Sequence, residues 1–241
     1  TSTKGFYVKE KLLFQLVKEI PGVWDEDNRP VLAVNHAAVV VKLNQEQLLF
    51  GFISTQFPQK AVQGAYKHLE WLHKHRILVQ SQLPYNIPLL PVQKLLPGPG
   101  SNKYRPVQNL CAVNQAMLPI HPVVPNLYAL MELIPASTAW FTVLKDAFFC
   151  ICLAPVSQPI FAFQWDKEAT QLTWTRLLQG FKNSPTIFGE ALASDLKAYT
   201  MPNDKCTLLQ YMDNLLLAAP TREDCYHKTR DHLHLLLKAG Y

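Results

Sequence analysis

The chain is predicted to fold as an α+β domain with helices on one face of an antiparallel sheet, and three observations carry that prediction. From Trp140 onward, short apolar stretches of strand length follow one another at 141–144, 148–153, 160–164 and 172–176. They give way to a helix opened by Ser184-Pro185, and then to the apolar hairpin Leu209-Gln210-Tyr211-Met212-Asp213-Asn214-Leu215-Leu216-Leu217. A last helix follows, and strands, helix, hairpin and helix in that order describe one α+β layer. With 241 residues and 49% apolar content, the chain can bury a sizeable core as one large domain or two interleaved lobes.

Taken in order, residues 9–20 place Leu12, Leu13, Leu16, Val17 and Ile20 at helical spacing, and Pro21-Gly22 stops them, so the element reads as a packing helix. Residues 23–30 read as a linker, so residues 1–35 form an N-terminal helix and linker ahead of a main domain over 36–241. The run 37–43 is β-branched and suits a strand. A second helix is expected from about Gln59 to His75, burying Val62, Ala65, Leu69 and Leu72. The stretch 84–106 is rich in proline and contains Pro97-Gly98-Pro99-Gly100, so it reads as extended strand and loop. Ser184 is the expected N-cap of a helix burying Phe188, Ala191, Leu192, Leu196 and Tyr199 and ending near Thr200. Residues 207–210 and 215–219 are the hairpin strands, with Asp213-Asn214 at the turn. Thr221-Arg222-Glu223-Asp224 reads as a capping box for the last helix, which Gly240 ends.

A net charge of +5, from 23 Lys+Arg against 18 Asp+Glu, favours a polyanionic partner without naming one. Five cysteines form an odd set without zinc-type spacing, which points to free thiols in a reducing compartment. No segment approaches the roughly 18 apolar residues of a membrane span, and the N-terminus lacks a basic-then-apolar signal pattern, so an intracellular protein, cytoplasmic or nuclear, is expected.

Nucleotidyl transfer by two divalent ions about 4 Å apart needs several carboxylates at one point, because the metals neutralise both the attacking and the leaving oxygen. Asp213 at the hairpin tip and Asp146 beside a neighbouring strand are the candidate pair. On pattern alone, a strand-end aspartate is equally a solvated turn residue. Cys150-x-Cys152, His73-x-His75 and His232-x-His234 lack structural zinc spacing, and helical residues two apart do not share a face. No Ser/His/Asp order, phosphate loop or dinucleotide fingerprint is visible.

Several segments, read jointly, resemble the fingers and palm of retroviral reverse transcriptases of the gammaretroviral and endogenous-retrovirus type. They are Asn86-Ile87-Pro88-Leu89-Leu90-Pro91-Val92-Gln93-Lys94, Tyr104-Arg105-Pro106-Val107-Gln108, Phe141-Thr142-Val143-Leu144 with Lys145-Asp146-Ala147-Phe148-Phe149, Ser157-Gln158-Pro159-Ile160-Phe161-Ala162-Phe163, Leu172-Thr173-Trp174-Thr175-Arg176 and Gln179-Gly180-Phe181-Lys182-Asn183-Ser184-Pro185-Thr186. The resemblance implies RNA-directed DNA polymerase chemistry with Mg²⁺ or Mn²⁺, and an RNA or DNA template-primer and deoxynucleotides as partners. It implies that Lys94 and Arg105 close over the triphosphate, where an ammonium acts as a point charge and a guanidinium offers paired donors. Read without it, both are solvated surface cations. It implies that Phe148 lies under the sugar and excludes a ribose 2′-hydroxyl, and that Gln179 and Tyr211 contact the nucleotide. Asp213 is then a metal ligand, with Asp146 beside it.

The chain departs from that pattern at the chemistry itself. Leu144 runs directly into Lys145, where the family places a metal-bridging aspartate and one further residue. Asn214 stands in the last carboxylate position of Tyr-x-Asp-Asp, and a neutral amide cannot supply the charge a hard Mg²⁺ site needs. Leu178 replaces a proline before Gln-Gly, Asn109 and Cys111 replace an aspartate and an arginine, and residues 95–99 lengthen a tip loop. The chain ends at Tyr241, before the primer grip and thumb of such enzymes. The expectation is a polymerase domain by descent with impaired catalysis; the alternative is a non-catalytic nucleic-acid-binding remnant of an endogenous retroviral pol polyprotein.

Overall fold

In the computed structural model, residues 12–23, 31–44, 59–94, 103–121, 127–132, 134, 138–144, 147–165, 170–197 and 206–241 are described. They divide into two compact units, one made of residues 1–36, 121–150 and 185–241, the other of 37–120 and 151–184.

The second unit is built on helix α2 (Gln59–Lys74) and the strands β1 (Leu78–Ser81), β2 (Leu89–Lys94) and β3 (Lys103–Gln108), with the short helix α3 (Cys111–Ala116) and the strands β5 (Phe163–Trp165) and β6 (Thr170–Trp174). As the helical spacing requires, α2 buries Ala65, Leu69 and Leu72. It ends where Arg76 turns left-handed at φ 57°, and the Thr175 hydroxyl donates to the Arg76 carbonyl at 2.7 Å. Strands β1, β6 and β5 form an antiparallel sheet in that order, while β2 and β3 form a separate antiparallel ribbon. Phe161, Phe163 and Phe181 are fully buried, with Phe161 edge-on to Phe181 at 5.3 Å. Buried Gln108 is satisfied at both ends of its amide: it donates to the Phe161 carbonyl at 2.8 Å and accepts from Trp174 Nε1 at 3.0 Å.

The first unit holds helix α1 (12–19), the short helix α4 (Leu127–Glu132), strand β4 (Thr138–Val143), helix α5 (Ser184–Lys197), the hairpin strands β7 (Thr207–Tyr211) and β8 (Asn214–Ala219), and helix α6 (Arg222–Ala239). Its antiparallel sheet runs β4-β8-β7, with Val143 opposite Asn214 and Tyr211 opposite Asn214 on the other side. Helix α6 begins as the capping box predicts, the Thr221 hydroxyl accepting from the Asp224 N–H at 3.1 Å, and ends at Gly240 with φ 89°. Its buried stripe of Cys225, Thr229, His232, Leu233, Leu236 and Ala239 follows the helical period, and Cys225 packs with Leu217 and Ala219 of β8. Helix α1 buries Leu16, and Glu19 accepts from the Tyr226 hydroxyl of α6 at 3.0 Å. The fold is thus α+β, with antiparallel sheets and packed helices, as the element order predicts.

Three sequence expectations are corrected. Residues 148–153 are not a strand: Ala147–Cys150 is a 3₁₀ turn, and pairing is reduced to isolated bridges at Cys152 and Leu153. Phe149, Cys150 and Ile151 are buried in succession, which an alternating strand face cannot accommodate. Residues 160–164 are a strand only from Phe163; Pro155 and Pro159, which lack N–H donors, hold Pro155–Phe161 in a 3₁₀ helix. Residues 37–43 are extended but bridge singly to Leu153 and Met117, two different segments, so no continuous ladder forms. The expected linker at 24–30, the lengthened loop at 95–99 and the predicted helix end at Tyr199 and Thr200 lie outside the described residues.

Candidate active site

The first unit presents Asp213 on the shortest loop a hairpin allows. Tyr211 pairs with Asn214, so Met212-Asp213 is a two-residue connection, and Met212 takes the left-handed φ of 55° that such turns demand. A side chain there stores about 1 kcal/mol of backbone strain. Three ties hold the tip. The Leu144 N–H, just past β4, donates to the Asp213 carbonyl at 3.2 Å. The Gln210 amide donates to the Gly189 carbonyl of α5 at 3.0 Å and to the Met212 carbonyl at 3.4 Å. Gln210 was missed in the sequence because a polar residue in an apolar strand carries no signal of its own.

Asp213 is half-buried, and the amide of Asn214 donates to its Oδ1 at 3.4 Å. Asp146 lies outside the described residues, as does Lys145. Among the described residues, no group of three His, Cys, Asp or Glu side chains converges as a metal site. Among the described residues, Asp213 with the neutral Asn214 amide beside it supplies fewer anionic oxygens than a two-ion centre needs at one point.

Phe148 sits half-buried in the 3₁₀ turn, its ring edge-on to Phe188 of α5 at 5.8 Å and 78°. Tyr211, at the end of β7, is half-buried. Asp213, Tyr211 and Phe148 therefore belong to the same compact unit.

The second unit carries the other candidates. Gln179 is exposed in a turn whose next residue, Gly180, has φ 88°. A β-carbon at Gly180 would meet Leu110 only at 3.5 Å, so the backbone conformation, not crowding, calls for glycine. The turn is clamped from outside: Asn114 donates to the Gly180 carbonyl and accepts from the Lys182 N–H, both at 2.9 Å. The Lys182 ammonium donates to the Met117 carbonyl at 2.8 Å, and the Asn183 amide to that of Leu118 at 3.0 Å. The Ser184 hydroxyl donates back to the Leu178 carbonyl at 2.9 Å. Lys94 pairs with Lys103 and Arg105 with Val92 on the β2–β3 ribbon, alternate positions of one register.

No disulfide joins any of the five cysteines, and no helix among the described residues is long and apolar enough to cross a membrane. A family model described as reverse transcriptase (RNA-dependent DNA polymerase) matches residues 64–241. The Gag-Pol polyprotein of koala retrovirus is 47% identical over 227 residues, covering 92% of this chain and 13% of the relative. That of avian reticuloendotheliosis virus is 45% identical over 236 residues, covering 95% and 20%. The chain thus spans only 13% to 20% of the length of these relatives. Among solved structures, the crystal structure of the prototype foamy virus protease-reverse transcriptase superposes with a TM-score of 0.81 at 22% identity, covering 98% of this chain and 30% of that one. A foamy viral protease-reverse transcriptase in complex with RNA/DNA hybrid gives 0.80 at 23%, covering 96% and 30%. These two likenesses show the fold, and the match over residues 64–241 shows the family: the chain belongs to the reverse transcriptase family.

Proposed function

We propose that the chain is the fingers-and-palm part of a template-directed RNA-dependent DNA polymerase, over residues 36–241, whose two-metal nucleotidyl-transfer centre is impaired. The observation that carries this reading is Asp213 at the hairpin tip with Asn214, not a second carboxylate, beside it. The family pattern also loses its aspartate after Leu144. Two missing anionic ligands remove several kcal/mol of transition-state stabilisation, on the order of 10³-fold or more in rate. Phe148, Gln179, Tyr211, Lys94 and Arg105 take the nucleotide-facing roles, and an RNA or DNA template-primer with deoxynucleotides is the substrate. The foamy viral relatives solved with dsDNA and with RNA/DNA hybrid support a nucleic-acid substrate.

The test is primer extension on an RNA template with Mg²⁺ or Mn²⁺, run beside Asp213→Ala and Asn214→Asp. The expected result is no measurable extension by the native chain and a gain with Asn214→Asp. Extension by the native chain that Asp213→Ala abolishes refutes the impairment.

A second reading, a non-catalytic nucleic-acid-binding module, is favoured by one specific observation. Lys94 lies directly opposite Lys103, with Arg105 two residues along the same strand as Lys103. Three basic residues thus fall within one short stretch of the ribbon, a composition that suits a polyanionic partner. Template-primer binding that weakens steeply with salt, without extension, distinguishes this module from an active polymerase.

A further inference from the structure

We propose that Tyr241 and Asp195 are positioning residues for Phe148, joined to it by a strut of one hydrogen bond and two edge-on aromatic contacts. The inference rests on the reading of Phe148 as the aromatic beneath the nucleotide sugar. Phe188 and Asp195 are seven residues apart on α5, two helical turns and roughly 10 Å along one face. Tyr241 spans them. Its hydroxyl donates to Asp195 Oδ2 at 2.8 Å, and its ring meets Phe188 at 6.0 Å and 81°. Phe188, fully buried, in turn meets Phe148 at 5.8 Å and 78°. Edge-to-face pairs at these separations are directional, so moving one ring re-aims the next.

The far end of the strut is fixed more firmly than packing alone requires. Asp195 Oδ1 accepts from Asn35 at 2.9 Å, and Oδ2 lies 2.8 Å from His36 Nε2. The segment bearing both crosses the end of α6, where the Val34 N–H donates to the Ala239 carbonyl at 3.0 Å. Gly240 then turns the chain, and the Tyr241 N–H returns to the Leu236 carbonyl at 2.9 Å. A β-carbon at Gly240 would strike the Leu32 carbonyl, so the approach that seats Tyr241 requires glycine. Phe148, by contrast, is only half-buried, and its ring meets that of the fully buried Phe188.

The test uses the full chain carrying 4-fluorophenylalanine at position 148, with a second sample labelled at Phe181 of the other unit as reference. Tyr241→Phe removes the hydroxyl and keeps the ring; Asp195→Asn removes the charge and keeps the shape. The expected result is a displaced or broadened ¹⁹F resonance at Phe148 in both variants, with the Phe181 resonance unchanged and the melt still cooperative. An unmoved Phe148 resonance in folded variants overturns the proposal, and so does an equal disturbance of Phe181. The sugar-facing reading is tested separately, by the ratio of deoxy- to ribonucleoside triphosphate binding in the native chain and in Phe148→Ala. If that ratio is unchanged, the reading of Phe148 falls, whereas the strut is judged on the fluorine signal alone.

Discussion

Two aspartates of the same unit hold their charges in opposite ways. The Asp195 carboxylate takes Asn35, His36 and Tyr241 at 2.8 to 2.9 Å, with its side chain only 8% exposed, whereas the Asp213 carboxylate has among the described residues a 3.4 Å contact from the Asn214 amide. Burial of Asp195 opposes ionisation, but the hydrogen bonds from Asn35, His36 and Tyr241 outweigh it and hold the carboxyl below its ordinary 3.8. A carboxylate whose lone pairs are filled by three protein donors holds its surroundings together. The hairpin presents Asp213 on a two-residue turn with the neutral Asn214 amide beside it.

The largest effect should separate the two acids directly. Asp195→Ala strands the buried Tyr241 hydroxyl and the half-buried His36 as well as the exposed Asn35 amide, and is expected to cost about 3 kcal/mol, while Asp213→Ala should stay within about 0.5 kcal/mol. Urea unfolding of both variants checks this, and equal losses would break the comparison.

Acid unfolding sharpens it, provided His232 is first separated out. Burial lowers His232 to about 4, below the ordinary 6.5, so the unfolded chain takes up that proton first. Its contribution is complete above pH 6.5, is lost as pH falls toward 4, and amounts to at most about 3 kcal/mol. Asp195 acts lower: its stabilisation is present above pH 3.8 and is lost as pH falls below that value. Stability measured against pH should therefore lose its upper limb in His232→Leu and its lower limb in Asp195→Asn.

A smaller effect bears on the strain at the hairpin. Met212→Gly relieves the left-handed φ, offset by the greater freedom of glycine in the unfolded chain, for a net gain of about 0.5 kcal/mol. An increased denaturant midpoint with an unchanged slope is the expected signature.

Much of this was legible locally. The apolar spacing of Ala65, Leu69 and Leu72, the capping box at Thr221 and the hairpin around Asp213 are short-range patterns, and each appears where the sequence predicts it. The strand expected at 148–153 failed because apolarity without alternation does not distinguish a strand from a buried turn. The Asp195 cluster was illegible for a different reason: Asn35 and Asp195 are 160 positions apart, and no local period links them. Likewise, nothing in the sequence marks Asn114 as the residue that braces Gly180.

That brace has a kinetic consequence. Because Asn114, Asn183 and Ser184 already tie the backbone of the Gln179–Ser184 turn through side-chain hydrogen bonds, its ordering entropy is spent during folding and not at the moment of docking. A ligand docking there would meet a pre-ordered backbone, so differences between ligands would be recorded in the lifetime of the complex more than in its rate of formation.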